Sequence, residues 1–307
     1  VADRLLESSE WRVTVLDNFN ASYDPQYKRA NVAQHLSNPD FRLVECDLLD
    51  AAGMQQVFDD EPFDAVIHLA ALAGVRASLE DPLLYQRVNV EGSYRLLELA
   101  RRHNVQRLLF GSSSSVYGFR STVPFAETDD VSHPASPYAA TKLAGEAACA
   151  VMSHVYGMRV VCLRFFTVYG SRQRPDLAIR KFATLMAHGR PIPLFGDGST
   201  MRDYTHVDDV VDGVMAALAY DRSRFEIVNL GGQAPVMLID LVQLLSRTIG
   251  VDPVIEWLPD QPGDVPRTAA NVAKARALLG YEPKVGLEEG IRRFADWLLA
   301  SQTVPSR

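Results

Sequence analysis

Short, unbroken apolar runs alternate along this chain with longer amphipathic stretches, and no other feature of the sequence restricts its fold as much. The runs occupy residues 12–17, 41–47, 65–70, 107–112 and 159–165, with helical patterns over 51–59, 83–103 and 137–156 between most of them. Val66-Ile67-His68-Leu69-Ala70 and Val160-Val161-Cys162-Leu163 lack the regular polar alternation of a strand with one wet face. Runs of that kind are buried on both faces, so the pattern predicts a doubly wound α/β fold, a parallel sheet with helices on either side. Residues 1–10 already carry helical periodicity, with Val1, Leu5 and Leu6 on one face. From about Thr167 the rhythm changes: Pro175, Pro191, Pro193 and several glycines cut the chain into shorter pieces. Helices are expected over 208–219, 272–279 and 287–299 and a strand over 227–230, which together predict a second, smaller C-terminal α/β lobe.

Composition narrows the function classes. A chain of 307 residues fits two domains, or one large α/β domain with an insertion. Its formal charge, 31 − 38 = −7, works against nonspecific binding to a nucleic-acid backbone. Cys46, Cys149 and Cys162 are odd in number and lack C-x-x-C spacing, so neither a disulfide framework nor a structural zinc is expected. No apolar run reaches the roughly 18 residues of a membrane span, and the first residues lack the pattern of a signal peptide. The expectation is a protein of the reducing cytoplasm with no metal, membrane or nucleic-acid partner.

The segment richest in chemistry is Ser136-Pro137-Tyr138-Ala139-Ala140-Thr141-Lys142. Spacing of i, i+4 puts Tyr138 and Lys142 on one face of a helix. A phenol titrates near pH ~10; an ammonium beside it favours the phenolate and predicts that Tyr138 can serve as a base near neutrality. Tyr-x-x-x-Lys alone fits a surface tyrosine beside a solvated lysine better than it fits a catalytic pair. Upstream, however, Gly111-Ser112-Ser113-Ser114-Ser115-Val116-Tyr117-Gly118 sets a row of hydroxyls at the end of an expected strand, where an open parallel sheet presents its ligands.

This layout resembles the extended short-chain dehydrogenase/reductase family, and within it the sugar-nucleotide 4-epimerases. The likeness runs over essentially the whole chain, through Val15-Leu16-Asp17-Asn18-Phe19, Cys46-Asp47-Leu48, His68-Leu69-Ala70-Ala71, Asn89-Val90-Glu91-Gly92, Leu163-Arg164-Phe165-Phe166, Phe195-Gly196-Asp197-Gly198, Arg202-Asp203-Tyr204-Thr205-His206 and Gly263-Asp264-Val265. It implies a Rossmann-type domain over 1–166, with 205–230 returning to it, and a nucleotide-sugar lobe formed by 167–204 and 231–307. It implies NAD as cofactor, contacted by Asp17, Asn18, Asp47, Leu48, Leu69, Ala70, Ala71, Asn89, Phe165, Tyr138 and Lys142. A carboxylate at Asp17 would accept from the adenosine ribose and repel a 2′-phosphate, favouring NAD over NADP. The resemblance also implies a first strand and a G-x-x-G-x-x-G turn that seats the pyrophosphate. Neither is in this sequence, and roughly fifteen further residues upstream are expected by analogy with the fold.

By the same resemblance Ser113, Tyr138 and Lys142 form the catalytic triad. Family 4,6-dehydratases carry Asp-Glu where Ser114 and Ser115 stand, and nucleotide-glucuronate decarboxylases usually have Glu at the second position. Epimerisation needs no such additional acid or base. Substrate contacts are implied for Arg76, Ser113, Ser114, Ser115, Thr167, Arg174, Phe195, Arg202 and Asp264, whereas Gln261 stands where glucose-type epimerases often have Arg. Asn18-Phe19-Asn20, Thr167 and Arg174-Pro175-Asp176 resemble the UDP-glucuronate 4-epimerase subgroup. The expected reaction is UDP-glucuronate to UDP-galacturonate through a 4-keto sugar. UDP-glucose epimerisation, decarboxylation of UDP-glucuronate and a noncatalytic NAD-binding regulator are the alternatives. Helices 83–103 and 137–156 correspond to those that pair subunits in relatives, so a homodimer is expected.

Overall fold

Leu108, Leu109 and Phe110 on one strand, and Val160, Cys162 and Leu163 on its neighbour, are all buried, as strands apolar on both faces require. The computed structural model describes residues 1–120, 122–260 and 263–302. Its strands are β1 (Val13–Asp17), β2 (Phe41–Glu45), β3 (Ala65–His68), β4 (Arg107–Ser113), β5 (Arg159–Phe165), β6 (Thr167–Tyr169), β7 (Ile192–Phe195), β8 (Met201–His206), β9 (Phe225–Leu230), β10 (Pro235–Met237) and β11 (Ile255–Leu258). Its helices are α1 (Ala2–Glu7), α2 (Pro25–Ala33), α3 (Ala51–Asp60), α4 (Val75–Glu80), α5 (Pro82–Gln86), α6 (Gly92–Arg102), α7 (Pro137–Tyr156), α8 (Ala178–Ala187), α9 (Val207–Ala219), α10 (Leu238–Ile249), α11 (Ala273–Leu279) and α12 (Leu287–Gln302).

The main sheet is parallel, in the order β3-β4-β5-β9, with Phe110 opposite Cys162 and Cys162 opposite Ile227. β1 pairs in parallel with β2 in a separate ladder, and no ladder joins β1 to β3 among the described residues. β1 and most of β3 are only half-buried, whereas the middle of β4 and β5 is sealed. Packing still unites the two ladders. Val13, Ala65 and Ile67 lie against the core of Leu109, Val161 and Leu163, and Leu16, Val44 and Val66 against that of Leu97, Leu108 and Phe110. In the smaller lobe β8 lies between β6 and β10, β7 pairs with β11, and α8, α10 and α12 enclose Phe182, Met186, Leu194, Leu245 and Phe294.

Two local features set the site. The single helix expected over 83–103 is α5, a π-helical turn over Arg87–Glu91, and α6. The wide turn carries the buried Asn89, whose amide donates to Leu72 O at 2.9 Å and to Thr141 Oγ1 at 3.1 Å. Such bulges collect at functional sites. α7 can press against β4 because Gly145 has no side chain: a Cβ there would lie 2.2 Å from Phe110 Cζ.

Candidate active site

α7 begins where it does because Ser136 caps it, accepting from the Ala139 amide at 3.1 Å, and Pro137 occupies its first turn. Tyr138 therefore sits at the mouth of the helix and Lys142 one turn deeper. Lys142 is buried and donates from Nζ to Gly111 O at 2.6 Å, with its ammonium 5.9 Å from the Tyr138 ring centroid. Ser113, at the end of β4, stands near enough to Tyr138 to favour its phenolate, and its Oγ donates to Ser115 Oγ at 3.1 Å. The Tyr85 ring meets Tyr138 edge-on at 6.3 Å and is a neighbour that no motif in the sequence announced.

The direction of the phenol's shift corrects the sequence argument. Desolvation raises the Tyr138 pKa above its ordinary value, while Ser113 and the charge of Arg174 pull it back. The Lys142 ammonium is turned to the Gly111 carbonyl rather than to the phenol oxygen. Burial lowers the Lys142 ammonium itself to about 8. The nearby His68 is a core residue, as its strand position predicts. Its Nε2 lies 2.8 Å from Ser93 Oγ, and burial holds its pKa down to about 3.

Beside this group opens a cavity of about 120 Å³, whose lining includes Ser114, Ser115, Thr167, Arg202, Asp264 and Val75. Arg202 donates from Nη1 to Met201 O at 2.9 Å, and among the described residues no carboxylate lies within 4.0 Å of it. Burial lowers its pKa. A desolvated guanidinium without an anion is suited to receive one. Asp264 is instead held by Arg76 at 2.9 Å, and the Arg76 guanidinium lies 4.5 Å from the Phe195 ring centroid. Arg174 does not line the cavity; it pairs with Asp176 at 2.6 Å and acts on Tyr138 through its charge. Gln261 lies outside the described residues.

Asp17, Asn18, Asp47, Leu48, Leu69 and Ala70 lie at or just beyond the C-terminal ends of β1, β2 and β3, Phe165 ends β5, and Asn89 sits in the π-helical turn. Asp17 Oδ1 accepts from the Phe19 amide at 2.7 Å, and Asn18 Nδ2 donates to Asp47 Oδ2. Leu48 is buried, whereas Leu69 is 46% exposed, and Ala70 beside it is exposed too. Phe165 is half-buried, with Cε2 3.3 Å from where a Cβ on Gly111 would stand. Asn89 is committed to the Leu72 backbone and Thr141, so it holds the loop after β3 rather than offering free donors.

Residues 1–231 match the family model described as NAD dependent epimerase/dehydratase family. The chain is 38% identical over 283 residues to the UDP-glucuronate 4-epimerase of Thermodesulfobacterium geofontis, covering 92% of this chain and 87% of that one. It is 41% identical over 302 residues to UDP-glucuronate 4-epimerase 3 of Arabidopsis thaliana, covering 92% and 70%. The solved UDP-glucuronic acid 4-epimerase of Bacillus cereus, in complex with UDP-glucuronic acid and NAD, superposes with a TM-score of 0.91 at 32% identity, covering 97% of this chain and 94% of that one.

Proposed function

The chain belongs to the NAD dependent epimerase/dehydratase family, and from that premise we propose that it is an NAD-dependent 4-epimerase of UDP-sugars, converting UDP-glucuronate to UDP-galacturonate. The observation that carries the reading is one juxtaposition. The Ser113–Tyr138–Lys142 group adjoins a cavity that has hydroxyls at Ser114, Ser115 and Thr167 and an unpaired guanidinium at Arg202.

The residues present fit the two ends of the cofactor. Asp17 supplies a carboxylate for ribose hydroxyls, the exposed Leu69 and Ala70 supply an apolar strand end, and Tyr138 and Lys142 stand at the reacting end. When bound, NAD would supply the hydride acceptor and donor for C4 of the sugar, at the end of the site where Tyr138 and Lys142 stand. Tyr138 takes the C4 hydroxyl proton and later gives it back, with Ser113 holding the same oxygen. Arg202 retains the diphosphate while the keto sugar turns. Ser114, Ser115 and Thr167 hydrogen-bond the C6 carboxylate. That restraint matters, because a 4-keto uronic acid loses carbon dioxide when its carboxylate stands perpendicular to the ring.

Residues 1–166 with 205–230 serve as the cofactor unit and 167–204 with 231–307 as the sugar-nucleotide lobe. The exposed Leu83, Leu84 and Tyr94 on α5 and α6, with Val151, Val155 and Tyr156 on α7, support a homodimer through these helices, which sedimentation would detect. Three free, buried cysteines suit a reducing cytoplasm. The test is product identification by NMR after incubation with NAD and UDP-glucuronate or UDP-glucose. UDP-galacturonate from the first is expected. A pentose product, or turnover of UDP-glucose alone, would refute the assignment.

A further inference from the structure

Behind the Ser113–Tyr138–Lys142 group the core holds an ion pair to which the reaction above gives no part. Glu146 lies one helical turn beyond Lys142 on α7. Its carboxylate accepts from Ser112 Oγ at 2.6 Å and from Arg164 Nε and Nη2 at 2.8 Å each. Ser112 precedes Ser113 on β4, and strand register sets it opposite Arg164 on β5. Arg164 is 2% exposed, and its guanidinium lies 4.9 Å from the ring of Tyr117, in the turn that follows the serines. One carboxylate thus joins the helix bearing the base, the strand end bearing Ser113 and the next strand.

Stability is a weak reason for such an arrangement, because a buried ion pair can usually be replaced by apolar side chains at little cost. Its position suggests another reason. Lys142 is faced by Gly111 O and the Phe110 ring from β4, by His68 from β3, and by Tyr138, Glu146 and Cys149 from its own helix. Arg164 and Cys162 of β5 reach it only through Glu146 and Cys149. Cys149 and then Glu146 are the groups that favour the Lys142 ammonium, and of the two only Glu146 is a carboxylate.

We propose that Glu146 is a positioning residue for the epimerisation: its carboxylate fixes the strand end of Ser113 against the helix of Tyr138 and Lys142, and it supplies the negative charge that faces the buried ammonium. This rests on the epimerase reading. Glu146→Gln alone leaves Arg164 buried without its partner, so the decisive variant is Glu146→Leu with Arg164→Met, which refills the space with apolar atoms. Its melting temperature is expected near that of the wild type, with kcat down about ten- to hundredfold and KM little changed. The chain has five lysines, Lys28, Lys142, Lys181, Lys274 and Lys284. The Lys142 ¹³Cε resonance, assigned by its loss in Lys142→Met, is expected to show a roughly tenfold loss of proton affinity in Glu146→Gln, which keeps the Arg164 cation, and a smaller loss in the double variant, from which both charges are gone.

Ser112→Ala cuts the tie to the strand end and keeps the ion pair; it should lower kcat several-fold and leave the Lys142 midpoint in place. Wild-type kcat and Lys142 midpoint in the double variant would overturn the proposal, as would wild-type kcat in Ser112→Ala should the double variant not fold. A wild-type protein that turns over no UDP-sugar would instead refute the epimerase reading, and the Lys142 midpoint would still decide the electrostatic half of this inference.

Discussion

Replacing Arg202 by Met should have two effects of opposite sign, and their combination separates a ligand-binding arginine from a structural one. The guanidinium lines the cavity, gives one hydrogen bond to the Met201 carbonyl and is partly desolvated. In the free protein its removal relieves a desolvated cation, offset in part by its attraction to Asp264, which Arg76 already holds. Discounted for partial exposure, that gain is about 1 kcal/mol, or about 2 °C in Tm for a chain of this size. Toward a diphosphate the same group offers charge-assisted hydrogen bonds worth roughly 1.5–3 kcal/mol, and at about 1.4 kcal/mol per tenfold UDP should bind about ten- to hundredfold more weakly. Calorimetric titration with UDP at low and high salt, beside a thermal melt without ligand, reads both effects. The salt dependence of binding should also shrink in the variant. A lower Tm with unchanged UDP affinity would refute the reasoning and make Arg202 a support for β8.

Gly145→Ala would drive a Cβ to 2.2 Å from Phe110 Cζ; a loss of about 1–3 kcal/mol in urea unfolding is expected, and no loss would mean that α7 does not press on β4. His68 titrates near 3 when folded against about 6.5 when unfolded. Its contribution to stability is therefore full above pH ~6.5 and falls away as pH drops toward 3, by about 2–3 kcal/mol at pH 4.5. Wild type should lose stability more steeply than His68→Gln between pH 6.5 and 4.5 in urea titrations, and parallel slopes would count against it. Thr167→Ala or Ser115→Ala should weaken binding of UDP-glucuronate or release carbon dioxide during turnover, measurable as a UDP-pentose by NMR; wild-type kinetics without decarboxylation would remove the hydroxyl cluster from the account.

The parallel strands were legible because burial on both faces leaves its mark directly in composition: Val160-Val161-Cys162-Leu163 could hardly be anything else. That Ser113, Tyr138 and Lys142 come together was legible because Tyr138 and Lys142 share a helix and Ser113 ends the strand beside it. Other features have no local signature. The π turn at Asn89 interrupts a helix whose periodicity continues on both sides. Arg76 and Asp264 meet across 188 residues of chain, and Ser112, Glu146 and Arg164 come from three separate elements. The short strands β6, β7, β8, β10 and β11 are set by tertiary pairing rather than by runs long enough to read. The direction of the Tyr138 shift was misjudged for a related reason: spacing reveals which charges are near in sequence, but desolvation depends on everything packed around the ring.

In the proposed reaction one phenol moves a proton while the hydrogen on C4 leaves and returns without exchange. UDP-glucuronate deuterated at C4, incubated with the protein and NAD in ordinary water, tests it directly. UDP-galacturonate with the deuterium still on C4 is expected, and no product from Tyr138→Phe. Deuterium washed into solvent, or full turnover by Tyr138→Phe, would contradict it.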